Sequence, residues 1–121
     1  MDEEKVVSFI RLNFGSVYTL ELFLMVKRID DKRWNIGELV HELRSSTTAV
    51  SDALNRLARA GFVAEHPPGS YKFAPASPEL ERLAAEIEMI YANKPISVIK
   101  AIVAAPTEKL RLFSDAFKIK E

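Results

Sequence analysis

Apolar residues recur at helical spacing along most of the chain. Val6, Phe9, Ile10 and Phe14 stand three and four apart and share one face of a helix over residues 2–14. The acids Asp2, Glu3 and Glu4 suit the positive end of that helix. Gly15 ends it, and Ser16 can cap a second helix running to about Ile29. There Val17, Leu20, Phe23, Leu24 and Ile29 leave few polar faces, so this helix is expected at the centre of the domain. Residues 30–33 read as a solvated turn, and Trp34-Asn35-Ile36 is too short for more than a stub of strand.

The next face is Ile36, Leu39, Val40 and Leu43, within a helix over residues 36–44. Ser45-Ser46-Thr47-Thr48 breaks the pattern and offers hydroxyls to cap a new helix. That helix runs to about Ala60 with Val50, Ala53, Leu54 and Leu57 inward, and Gly61 stands where a left-handed stop belongs. Residues 62–65 read as a strand, 66–70 as a turn and 71–75 as a return strand with alternating large residues. Ser77-Pro78-Glu79 opens a further helix, whose stripe is Leu80, Leu83, Ala84, Ile87 and Ile90. Pro95 starts a short helix through Ala104, and Pro106 starts a last one with Leu110, Phe113 and Phe117 on one side. No repeat, linker or low-complexity stretch interrupts the sequence. One domain over residues 1–121 is expected, mainly α with a small β-hairpin, its centre at 16–76 and flanking helices at 1–15 and 77–121.

The order helix, helix, turn, helix, hairpin is that of a winged helix-turn-helix. Residues 39–63 resemble the core of MarR-like bacterial regulators. The likeness lies in the Leu39–Leu43 helix, the hydroxyl-rich turn, and Val50, Leu54 and Leu57 leading into Gly61-Phe62-Val63. It covers roughly residues 34–73. Residues 91–102 and 113–117 are similar to an uncharacterised group of small bacterial winged-helix proteins. The resemblance implies a DNA-binding transcriptional regulator, paired as a homodimer through its terminal helices, with no cofactor and no chemistry of its own. Winged helices also serve as protein-contact modules, so a protein partner without DNA is the alternative.

In that motif the second helix, here residues 46–60, enters the major groove and its N-terminal side chains reach base edges. With Val50 inward, the outward face is Thr48, Asp52, Asn55, Arg56 and Arg59, with Ser51 beside it. Ser46, Thr47 and Thr48 lie at the positive end of the helix, where backbone N–H groups can hold a phosphate. Asn55 is suited to adenine, and Arg56 to guanine or phosphate. On the hairpin, His66 and Lys72 are the candidates for phosphate contact. The chain departs from the MarR-like pattern, which often has a basic residue at the positions of Thr47 and Asp52 and an apolar one at Ser45. An aspartate on a groove-facing surface either accepts from a cytosine amino group or repels the backbone.

Charge sharpens that departure. The 121 residues carry 17 Lys plus Arg and 17 Asp plus Glu, and the balance holds locally: six of each in residues 1–33, four of each in 34–76 and seven of each in 77–121. Neutralising phosphates supplies much of the affinity of a DNA binder, and here no third of the chain has a basic excess. Composition excludes other classes. Cysteine is absent, so there is no disulfide, thiol nucleophile or Cys-based metal site. His41 and His66 are the only histidines, and no nucleophile elbow, metal motif or phosphate loop is present. Apolar runs such as Phe23-Leu24-Met25-Val26, which Leu22 extends to five residues, are far too short to span a membrane, and the acidic start is unlike a signal peptide, so the cytoplasm is expected.

Overall fold

The chain folds in the order α1 (Glu3–Asn13), α2 (Val17–Arg28), β1 (Trp34–Asn35), α3 (Ile36–Leu43), α4 (Thr47–Ala60), β2 (Val63–His66), β3 (Ser70–Phe73) and α5 (Pro78–Asn93). A last helix, α6, spans Pro95–Ala104. The structure is a computed structural model that describes residues 2–29 and 31–104. The helix expected from Pro106, with Leu110, Phe113 and Phe117, lies outside the described residues.

Capping fixes where the helices start. Asp2, Ser16, Asn35, Ser46 and Ser77 each sit in extended backbone, and each accepts a backbone N–H two or three residues on. A cap of this kind contributes about 1 kcal/mol. At α3 the cap is reciprocal: Glu38 N–H donates to Asn35, and Asn35 N–H donates to the Glu38 carboxylate. Gly61 ends α4 at φ +88°, and a Cβ there would stand 2.7 Å from Leu80 Cδ1. Glycine is favoured by the left-handed turn, and a Cβ there would also have to push the tip of Leu80 aside. Arg44 ends α3 in the same left-handed region, at φ 50°.

The sheet departs from the expected hairpin. It has three antiparallel strands in the order β1-β3-β2, because Trp34 pairs with Tyr71 and Asn35 with Ser70. Residues 34–35 are the stub of strand that the sequence allows, and it pairs at the edge of the sheet. The hairpin register runs from Val63↔Phe73 to His66↔Ser70, so both strands are displaced by about one residue from the sequence expectation. The turn residues also do more than face solvent. Lys32 places its ammonium 4.2 Å from the Trp34 ring centroid and pairs with Glu38 at 3.3 Å.

The core is built on rings. Phe14, Phe23 and Phe62 are fully buried, with Phe62 5.1 Å from Phe23 and 6.0 Å from Phe14 between centroids. Phe9 meets Phe62 edge-on at 5.9 Å, and Phe73 of β3 meets Phe23 at 6.2 Å. These contacts join α1, α2 and the sheet at one point. Helix α5 covers α1 with Leu83, Ala84, Ile87 and Ile90 buried. Its Glu88 is tied to α2 by Lys27 at 2.7 Å and Arg28 at 3.1 Å. The hydrogen bond from Lys27, with Arg28 adding to it, holds the Glu88 carboxyl below the usual glutamate range.

Ile29 corrects one expectation. It caps the end of α2 and is 48% exposed, where the sequence pattern grouped it with the buried residues. The other exposed large hydrophobics among the described residues are Leu12, Met89, Ile96 and Val103. No single helix among the described residues is long and apolar enough to cross a membrane.

Candidate nucleic-acid interface

Helix α4 owes its orientation to its inner face. Val50, Ala53, Leu54 and Leu57 are buried against α2, α3, α1 and β2. With that face fixed, period 3.6 sends Thr48, Asp52, Asn55, Arg56 and Arg59 outward, and all five are exposed. Ser51 lies at the edge of this face, half-buried.

At the start of α4 the hydroxyls divide their work. Ser46 Oγ is committed to the helix itself, accepting from Ala49 N–H at 3.1 Å. Thr47 and Thr48 are exposed beside it, in the first turn, where the helix dipole favours an anion. No carboxylate occupies that turn.

The two basic residues of α4 are placed differently. Arg59 stands in the last turn, where its charge complements the negative helix end. Arg56 bends back toward the turn between α1 and α2. Its Nη1 lies 2.8 Å from where a Cβ on Gly15 would be, and Gly15 itself has φ +73°. The missing side chain at Gly15 is what leaves room for the guanidinium. None of Asp52, Arg56 and Arg59 has an ion-pair partner among the described residues. Asp52, Asn55, Arg56 and Arg59 line an open cleft of about 280 Å³ along the outside of the helix.

The hairpin contributes less than its sequence suggested. Lys72 sits on the central strand and pairs with the Asp31 carboxylate at 2.9 Å, with only 29% of its side chain exposed. The same contact holds the Asp31 carboxyl below its ordinary range. Lys72 is therefore engaged with the turn after α2, and a phosphate would have to compete with that aspartate. His66 is half-buried at the end of β2, where its carbonyl accepts from Ser70 Oγ at 2.9 Å. The tip beyond it, Pro67 to Gly69, has a cis bond between its two prolines and carries no charge.

The sequence reading did not include the floor beside Arg56. A groove of about 310 Å³ opens there between the α1–α2 turn and α4, lined by Phe14, Gly15, Ser16, Tyr18, Ala49 and Asp52 among others. The hydroxyl of Tyr18, one of the lining residues, is buried and has no hydrogen-bond partner among the described residues. The only local sign of this groove was the Gly15-Ser16 break, which reads equally well as a plain helix stop. No group of three or more metal-ligating side chains occurs among the described residues. Comparisons with protein-family models, with curated proteins and with solved structures find no match.

Proposed function

We propose that the protein is a DNA-binding transcriptional regulator with a winged helix-turn-helix, in which α4 enters the major groove. The observation that carries this reading is the outward face of α4. It is continuous, polar and exposed from Thr48 to Arg59, and it sits between a preceding helix and a following hairpin. Helices in that position read base edges from their N-terminal half. On this reading Asn55 and Arg56 contact bases or phosphate, and Thr47 and Thr48 hold a phosphate at the helix start. Ser51 and Arg59 flank the contact. Ser46 acts through the cap, and His66 and Lys72 are at most secondary. The protein carries no chemistry and needs no cofactor, and its place is the cytoplasm.

The same reading makes it a homodimer. Of the five exposed large hydrophobics among the described residues, Leu12, Met89, Ile96 and Val103 lie on α1, α5 and α6, and none lies on α4. Two-fold pairing through these helices would set two copies of α4 about one DNA turn apart, roughly 34 Å.

A second reading, a protein-contact module, is favoured by two observations. Asp52 stands unpaired in the middle of the face, and the hairpin's one lysine is held by Asp31. Fluorescence anisotropy with random duplex DNA separates the two. Few phosphates are neutralised, so the log–log salt slope of a dimer is expected at about −3 to −6. Asp52→Arg removes a repulsion and adds an attraction in each subunit, so duplex affinity is expected to rise by roughly tenfold or more. Undetectable duplex binding by a well-folded Asp52→Arg protein would move the assignment to protein contact.

A further inference from the structure

Asp52 and Arg56 stand one helical turn apart on α4, with the acid on the N-terminal side. An acid and a base at this spacing are neighbours on a helix surface and commonly pair. Here they do not. Arg56 carries its guanidinium over to Gly15, and neither residue has an ion-pair partner among the described residues. Both nevertheless line the same groove beside the α1–α2 turn. The apolar part of its lining is Tyr18 and Ala49, over the buried Phe14 and Ala53.

We propose that this groove binds a free α-amino acid with an apolar side chain. Its carboxylate meets the Arg56 guanidinium, whose planar fork of donors suits a carboxylate. Its ammonium meets the Asp52 carboxylate, and its side chain lies against Tyr18 and Ala49. A simple anion would be repelled by Asp52, and a simple cation by Arg56. A zwitterion, with opposite charges two bonds apart, satisfies both. The volume, about 310 Å³, lies at the small end of ligand pockets and suits a molecule of amino-acid size. Gly15 lets the Arg56 guanidinium rest over the α1–α2 turn, since a Cβ there would stand 2.8 Å from Nη1 and push that flexible end aside. The proposal stands apart from the DNA reading, since no nucleic acid enters its test.

The test is calorimetry and amide NMR on the full chain with L-leucine and L-phenylalanine, at concentrations up to about 10 mM. Saturable binding is expected, with a Kd on the order of 0.1–1 mM and amide shifts centred on Tyr18, Ala49, Asp52 and Arg56. N-acetyl-leucine, which lacks the ammonium, and leucinamide, which lacks the carboxylate, are expected to bind at least about tenfold more weakly. Asp52→Asn should erase the discrimination against N-acetyl-leucine, and Arg56→Gln that against leucinamide. Equal binding of leucine and N-acetyl-leucine to the native chain would overturn the proposal, as would no saturable binding or shifts centred elsewhere. The analogue series uses the unaltered protein, so it decides the matter even if a variant fails to fold.

Discussion

Helix α4 and the helices α1, α5 and α6 present different kinds of surface. On α4 every large hydrophobic residue is inward, and the outward charges Asp52, Arg56 and Arg59 have no ion-pair partner among the described residues. Helices α1, α5 and α6 differ in part: Glu4, Lys5, Glu81 and Lys100 are also without an ion-pair partner among the described residues, but other polar groups are bonded and large hydrophobics are exposed. Lys94 is bonded to Glu3 at 3.0 Å, Tyr91 to Glu21 at 2.7 Å, and Glu88 to two bases of α2, while Leu12, Met89, Ile96 and Val103 face outward. Unpaired charge keeps its full capacity for an external partner, whereas paired charge has already been used within the molecule. Exposed apolar side chains do the converse: singly they are ordinary, and grouped they mark contact with another macromolecule. The difference is one of surface chemistry: α4 turns polar and charged side chains outward, whereas α1, α5 and α6 each expose at least one large hydrophobic residue.

The contrast holds only while the two regions are one rigid body, and Phe62 is the residue that joins them. It touches Phe9 and Phe14 of the α1 side and Phe23 of α2 while fully buried. Phe62→Ala is expected to cost about 3–5 kcal/mol, read as a lower urea midpoint, through lost transfer free energy and the cavity left behind. A loss under about 1 kcal/mol would show that the regions are stable separately.

A smaller effect is expected at Glu88, which ties α5 to α2. Its pKa is depressed in the folded state, so its contribution is fully present above the unfolded value, about 4.3, and is lost as pH falls through the lower folded value. Glu88→Gln should therefore cost about 1 kcal/mol at neutral pH and progressively less as pH falls below the ordinary glutamate range. Parallel stability curves for the two proteins across that range would show that the triad contributes nothing.

The exposed apolar residues are probed by Met89→Glu. Met89 is half exposed, so monomer stability should change by less than about 0.5 kcal/mol. Light scattering, however, should fall from twice 13.6 kDa to 13.6 kDa at tens of micromolar. A native chain that already scatters as a monomer would remove the dimer from the proposed function.

What was legible in the sequence was local. The caps at Ser16 and Ser77 and the stop at Gly61 depend on hydrogen bonds and dihedrals within a few residues and stand where the sequence placed them, while among the four hydroxyls of residues 45–48 it is Ser46 that caps α4. The outward face of α4 followed from period alone. Contacts distant in sequence were not legible. β1 joins the sheet because Trp34 finds Tyr71, and Lys72 loses its freedom because Asp31 is near. Arg56 bends toward Gly15 for the same kind of reason, since tertiary packing brings the α1–α2 turn beside α4. The exposure of Ile29 and Met89 likewise depends on where neighbouring helices end, which no stripe on one helix encodes.

The bond between Glu3 and Lys94 spans 91 positions, and it has a consequence for biosynthesis. Helix α1 leaves the ribosome ahead of every element that shelters it. Val6 and Ile10, buried in the finished protein, lack the cover of α5 until that helix has been translated, although α4 and Phe62 come earlier. Nascent chains halted before that point would present an amphipathic helix covered only in part, a form that chaperones bind and proteases cut. Translation speed between the hairpin and α5 therefore sets how long each new molecule is at risk.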